Sequence, residues 1–381
     1  MIIKVSKEIL TNAVTPLLGA VSNKNTLAAV EGILLTTNGD DYCTLTSFDL
    51  EKGYRTKIPV KVLESGSFII GGQRFSQIIR AMPEGEITVS VDQRLRAKIS
   101  GGRSEFELSA MDGADFPTLP EFRSETVFSV NQGVLRSMIV RTSFAVAQNE
   151  SRAALNGAFF SFSSEKISIV GCDGNRLAIR TQKCKVTKHG EKEPDISIIL
   201  PGKTLSELLK MLKSEDEEIK ITVTRRNAVF ESEGLLFFSR LIDGEYLDYG
   251  KFIPSSSKIS CVIETETFIE SLERAFLVSE DKTVGQTKSY VRCKFCEDSL
   301  KLSSVSANGR VSDEIYIENE SGQTLEIGFN CRFLLEALKA CGSEKVKCEM
   351  NTPLSCMVIK PSVANEEEDF LYLVLPIRMK D

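Results

Sequence analysis

Three segments of the chain carry the same spacing of apolar residues. In RFSQIIRAM the apolar positions are Phe75, Ile78, Ile79 and Met82. In TLSELLKML they are Leu205, Leu208, Leu209 and Leu212, and in FLLEALKAC they are Leu334, Ala337, Leu338 and Cys341. Each set is i, i+3, i+4, i+7, which is one stripe of an amphipathic helix. The segments recur at about 130 residues, so the chain reads as an internal repeat.

The flanking text repeats as well. A strand-like run precedes each helix (SFIIG, ISIIL, LEIGF), and an alternating one follows it (EITVSV, IKITVT, KVKCEM). A second helical run lies upstream in each copy: KEILTNAVTPLLGAV, GVLRSMIVRTSFAV and TFIESLERAFLV. Between the two helices lies a strand pair around a turn, which in the second copy contains GCDGNRLAIR. Asp112-Gly113 and Asp243-Gly244 mark matching turns where the first two copies end, and linkers follow at Pro117–Thr126 and Pro254–Lys258. The pattern predicts three tandem α+β domains over residues 1–122, 128–253 and 257–381, each with two helices segregated from its strands.

One polar position adds to this picture. Immediately after the central apolar pair every copy carries a base: Arg80, Lys210 and Lys339. One such base is an ordinary solvated residue, but the agreement of three points the helices' polar faces at a shared polyanion. The net charge of −6 does not oppose this, because an acidic exterior can confine a polyanion to one basic surface.

Candidate chemistry is sparse. The single histidine, His189, sits in a charged loop, so no Ser-His-Asp or Cys-His set exists. Cys293 and Cys296 form a Cys-x-x-Cys on an alternating run, where residues three apart point to opposite faces and cannot easily share a metal. The ten cysteines read as reduced thiols of a cytosolic protein. The runs SEDEE and NEEED are expected to be solvated loops, and no phosphate-loop signature occurs. The N-terminus lacks the pattern of a signal peptide, and no apolar run is long enough to span a bilayer. An enzyme with a clustered acid/base set is therefore not indicated, and no cofactor or metal is expected.

Four pieces carry a family resemblance: LNG at Leu155–Gly157, the DG-x-RLA turn at Asp173–Ala178, SRLIDG at Ser239–Gly244, and YLVLPIRM, expected to be the final strand. With the threefold repeat, the whole chain resembles the beta subunits of bacterial DNA polymerase III, the sliding clamps. The resemblance implies a head-to-tail homodimer, a ring of six domains with helices inside and sheets outside. It implies a non-catalytic, cytoplasmic processivity factor that encircles duplex DNA without reading sequence. Its implied partners are a clamp loader, the replicative polymerase and other proteins that insert a short peptide between the second and third domains. Geometry agrees with a dimer. Six helices packed about 10 Å apart would enclose a circle only about 20 Å across between axes, whereas twelve give about 38 Å. The alternative is a monomeric protein-interaction scaffold that does not encircle DNA.

Carried over residue by residue, the peptide pocket comprises Leu155, Cys172, Gly174, Asn175, Arg176 and Leu177 from the second domain, and Leu247, Lys251 and Phe252 from the linker. The third domain adds Asn330, Phe333, Leu354, Cys356, Leu373, Val374, Leu375, Pro376, Ile377, Arg378 and Met379. Leu155, Leu177, Leu247, Leu375 and Ile377 would form an apolar floor, with Arg176 and Arg378 as donors at the rim. Asn175 stands where relatives usually carry His, Leu247 where Pro is usual, and Leu375 and Ile377 replace methionines. For DNA, the resemblance points to Lys24, Arg80, Gln148, Asn149 and Arg152, to which the repeat adds Lys210 and Lys339. Phosphate contacts of this kind hold without reading bases.

Overall fold

A computed structural model describes residues 1–22, 27–124, 126–193, 195–279, 290–306 and 309–379; Lys24 lies outside the described residues. The chain divides into two compact units. The first holds Met1–Gln132, Thr187–Pro194 and Ser206–Leu241; the second holds Gly133–Val186, Asp195–Leu205 and Ile242–Asp381.

All six anticipated helices are present: α1 (Lys7–Leu17), α2 (Gly72–Ala81), α3 (Gln132–Val140), α4 (Gly202–Met211), α5 (Thr265–Ser279) and α6 (Cys331–Cys341). Local chemistry sets their starts. The Ser6 hydroxyl accepts from the Ile9 N–H at the head of α1, and the Asn330 side chain accepts from the Arg332 N–H at the head of α6. The apolar stripes face inward as their spacing requires. Phe75, Ile78, Ile79, Met82, Leu205, Leu208, Leu212, Leu334, Ala337, Leu338 and Cys341 are buried, and Leu209 alone is half-buried.

The first unit is built on one sheet of fourteen strands, all pairs antiparallel among the described residues. Helices α1 and α2 pack together beside it, with Leu10, Val14, Leu17, Phe75 and Ile79 in the core. The sheet is continuous because strand Lys52–Pro59, from the first repeat, pairs with Leu235–Arg240, the last strand of the second, setting Lys52 opposite Ser239 and Tyr54 opposite Phe237.

The second unit holds a nine-stranded and a four-stranded sheet. Helices α5 and α6 pack on each other over a core that includes Phe268, Leu272, Phe329, Leu338 and Tyr372. Here Arg176–Lys183, from the second repeat, pairs with Glu368–Val374, the last strand of the third. Arg176 stands opposite Val374 and Ala178 opposite Tyr372, the same register relative to the repeat as in the first unit.

The sequence expectations fail at two places. NEEED is not wholly a loop, because Glu368 begins a strand and its carboxylate pairs with Arg141 at 3.1 Å and with the buried Arg180. Arg180, 1% exposed, also donates to the Tyr372 hydroxyl at 3.1 Å and to the Ala340 carbonyl at 3.4 Å. A buried guanidinium needs such an acid, and that need fixes a residue which looks solvated in sequence. The terminal YLVLPIRM is not one strand either. The strand stops at Val374, since Pro376 has no N–H to donate, and the tail continues extended with a single bridge from Ile377 to Gly328.

The ten cysteines are all unpaired. Seven are buried, while Cys184, Cys296 and Cys356 are half-buried. Cys293 sits in the core strand Val291–Phe295 and Cys296 just past its end. Burial pushes the thiols of Cys43 and Cys261 up to about 12. His189 is exposed and lies 2.6 Å from the Ser129 hydroxyl. No group of three or more His, Cys, Asp or Glu is placed to hold a metal among the described residues, and no described helix is long and apolar enough to cross a membrane.

Candidate functional site

The DG-x-RLA turn is organised by one carboxylate. Asp173 Oδ1 accepts from the N–H groups of Asn175 at 2.9 Å and Arg176 at 3.0 Å, while Oδ2 accepts from Arg176 Nε at 2.9 Å. Gly174 sits at φ +84, a conformation that costs a side-chain-bearing residue more than glycine. The tail closes over this turn, with the Leu375 N–H donating to the Asn175 carbonyl at 2.8 Å and the Ile377 N–H to the Gly328 carbonyl at 2.7 Å.

Beside the turn lies a discrete apolar cluster. Val170, Cys172, Leu177 and Leu373 are buried in it, and Leu155, Phe159, Tyr246, Leu247, Tyr249, Ile253 and Cys356 pack around them. The structure thus brings together six of the residues that the sequence singles out: Leu155, Cys172, Leu177, Leu247, Cys356 and Leu373. Close to cluster members in sequence, Leu354, Leu375 and Phe252 are exposed, at 66%, 41% and 59%. Such an exposed apolar group beside a buried floor is what an apolar anchor could cover. Burial raises the Cys172 and Cys356 thiols above their ordinary value, so neither is an activated nucleophile.

Several residues take places other than those expected. Val374 is fully buried in the core on the face opposite Leu373, as strand alternation demands. Asn330 is engaged as the cap of α6, and Lys251 pairs with Asp248 at 3.0 Å. Arg176 is not a free donor at the rim. Its guanidinium pairs with Asp173 and Glu336, donates to the Phe144 carbonyl and lies 4.4 Å from the centre of the Phe333 ring. It ties the turn at Asp173 to the Phe144 segment and to α6. Arg378 is exposed, and Pro376, Ile377 and Met379 are half-buried.

Tyr246 and Tyr249 are floor residues that the sequence reading missed. Tyr246 stacks on Phe159 at 5.4 Å and donates to the Val170 carbonyl at 3.3 Å. The signal was present in DGEYLDYGKF, where two aromatics flank Leu247. Burial holds the Tyr246 phenol neutral far above its ordinary range.

The basic positions are exposed but engaged. Arg80 Nη2 donates to Thr15 Oγ1 at 3.3 Å, Lys210 pairs with Glu207 at 3.0 Å, and Lys339 pairs with Glu273 at 2.6 Å. Gln148, Asn149 and Arg152 are exposed on a loop pinned by Asn156, which accepts from the Glu150 N–H at 2.7 Å and donates to its carbonyl at 2.8 Å.

Comparison with known proteins follows the same threefold division. Residues 1–120 match the N-terminal domain of the DNA polymerase III beta subunit, residues 129–248 its central domain and residues 251–378 its C-terminal domain. The beta sliding clamp of Halalkalibacterium halodurans is 30% identical over 375 residues, covering 98% of this chain and 95% of that protein. That of Bacillus subtilis is 27% identical over 383 residues, covering 98% of each. Among solved structures, a putative DNA polymerase III beta subunit from Eubacterium rectale superposes with a TM-score of 0.91 at 27% identity, and the Bacillus subtilis sliding clamp with 0.89 at 27%, each covering both chains completely. With three consecutive domains matched in order and a relative 30% identical along almost its whole length, this chain belongs to the beta sliding clamp family, the beta subunits of DNA polymerase III.

Proposed function

We propose that two copies of this chain, each with clamp domains at residues 1–122, 128–253 and 257–381, close head-to-tail around duplex DNA in the cytoplasm. The ring holds the duplex topologically and without sequence preference. It tethers the replicative polymerase through a peptide seated on the Leu177–Leu373 cluster, and a clamp loader opens it. No catalytic step is assigned to the chain.

The observation that carries this reading is a pair of strand edges. Twice within the chain a strand of one repeat pairs with the last strand of the next. Two counterparts of these strands are left over. Among the described residues, Gly309–Tyr316 pairs only with Ser299–Ser306, and Ser104–Ser109 pairs only with its hairpin partner Arg96–Gly101. Unpaired edges of this kind template further pairing. Continuing the internal register sets Phe106, the counterpart of Phe237, opposite Val311 of a second copy, and Glu107 opposite Arg310. Phe106 is 40% exposed and Leu277, near the end of α5, is 84% exposed, apolar surface that such a joint would cover.

Sedimentation tests the reading, with twice the chain mass expected at micromolar concentration. Loaded on DNA, the protein should stay on closed circles and slip from linear ends. A chain that remains a monomer as concentration rises would return the scaffold alternative.

A further inference from the structure

The chain contains the framework of the peptide pocket twice. The strands Lys52–Pro59 and Arg176–Lys183 start from the same turn. Asp49 Oδ1 accepts from the N–H groups of Glu51 and Lys52 at 3.0 and 2.8 Å, as Asp173 Oδ1 does from Asn175 and Arg176. A cation follows three residues after the aspartate. Lys52 donates to the Gly19 carbonyl and pairs with Glu207 of α4 at 3.5 Å; Arg176 donates to the Phe144 carbonyl and pairs with Glu336 of α6. Glu207 and Glu336 hold the same place in the helical repeat, three residues before Lys210 and Lys339. Tail contacts repeat too, with the Arg240 N–H donating to the Glu51 carbonyl at 2.7 Å as that of Leu375 does to Asn175.

The apolar floor is where the two joints diverge. In matched register, Phe48 holds the place of Cys172, Gly53 that of Leu177 and Phe238 that of Leu373. Phe48, Val229 and Phe238 form a buried cluster against which Phe116 and the linker residues Leu119 and Phe122 pack. The Phe48 and Phe122 rings lie 5.4 and 4.8 Å from that of Phe238. Gly53 makes room for this, since a Cβ there would fall 2.3 Å from Phe238 Cζ and 2.5 Å from the Ser47 carbonyl oxygen. Both joints receive rings from the segment that follows, Phe116 and Phe122 at the first and Tyr246 and Tyr249 at the second, but where the second has the Cys172 thiol and Leu373 the first has the two rings of Phe48 and Phe238. Each ring brings a large apolar surface of its own.

We propose that Phe48, Phe122 and Phe238 are a built-in filling of the first joint. They occupy with the chain's own side chains the groove that, at the second joint, stays open for a partner's apolar anchors. The filling limits each chain to one peptide site and directs every peptide-bearing partner to the joint between the central and C-terminal domains. The proposal rests on the peptide-pocket assignment made above.

The test is the stoichiometry of a pentapeptide with leucine and phenylalanine anchors, titrated by calorimetry. Wild-type protein binds one per chain. The variant Phe48→Cys, Gly53→Leu, Phe238→Leu, which installs the second joint's residues in the first, is expected to bind two. Adding Leu373→Ala to that variant weakens only one of the two sites. Because the triple variant rebuilds a core, Phe122→Ala is the second arm. It removes only a linker ring and should admit a second, weaker peptide. Two peptides per wild-type chain, or one per chain in folded variants at saturation, overturns the inference. A wild-type chain that binds none removes the pocket assignment itself, and this inference with it.

Discussion

The guanidinium of Arg176 lies against the carboxylate of Glu336, a residue 160 positions away. The Arg176 side chain is only 10% exposed and that of Glu336 38%. With Asp173 on one side and the Phe144 carbonyl on another, Arg176 joins three elements at one point. Arg176→Ala leaves Glu336 and Asp173 without their shared cation. Breaking such a pair is expected to lower unfolding free energy by about 3 kcal/mol. Arg176→Lys should recover only part of this, because an ammonium cannot reach three acceptors as a planar fork does. Urea denaturation of the three proteins checks the order.

Leu375 is 41% exposed and its backbone is tied to Asn175, so its side chain can be shortened with little effect on the core. Leu375→Ala is expected to weaken peptide binding by about 2 kcal/mol, the scale of a buried anchor contact, with an unchanged melting temperature. Unchanged affinity would move the pocket elsewhere.

Arg310→Glu would set like charges opposite each other if Glu107 faces it across the proposed joint. Two joints per ring at up to about 1 kcal/mol each should raise the dimer dissociation constant by up to roughly thirtyfold. Combining it with Glu107→Arg should restore the dimer. Sedimentation of single and double variants decides the register, since a shifted pairing gives no rescue.

Neutralising Arg80, Lys210 and Lys339 together should flatten the salt dependence of DNA retention, by about 0.9 for each phosphate that no longer meets a base. The pairing of Lys339 with Glu273 at 2.6 Å adds a converse expectation. Glu273→Gln frees that ammonium and should strengthen retention at low salt. A triple variant with the wild-type salt slope would make these bases ordinary surface.

Acid should loosen the third domain through Asp313. Burial opposes its charge, but donors including Arg274, whose Nε lies at 2.8 Å, outweigh this and hold its carboxyl below the usual value. A folded pKa below the unfolded one contributes stability that is present above the unfolded pKa and is lost as pH falls through the folded one. Urea midpoints measured from pH 6 down to pH 3 should fall with acid, and less steeply in Arg274→Ala.

Helix positions and repeat spacing were legible because each stripe is a local pattern, and the stripe residues from Phe75 to Cys341 face inward as their spacing requires. The cluster around Leu177 and Leu373 was legible only through family resemblance, since its members are scattered from Leu155 to Leu373. Long-range pairing was not legible at all. Nothing local to NEEED says that Glu368 answers a guanidinium at Arg180. Nothing in DG-x-RLA says that Arg176 spends its donors inward instead of offering them at a rim. Val374 and Leu373 differ in role only because strand alternation turns one to the core and the other to the cluster.

The distribution of thiols turns the chain into a gauge of its own opening. Cys184, Cys296 and Cys356 are half-buried, and the other seven are buried. Burial raises the Cys184 thiol to about 11, so alkylation at neutral pH should be slow even at this accessible position. Mass spectra after a brief pulse of alkylating reagent should therefore show up to three added groups on the folded chain, and further groups only as whole domains open. Cys356 packs against the apolar cluster while Cys184 and Cys296 lie outside it, so a seated peptide should protect one of the three and spare the others, reporting occupancy without any introduced label.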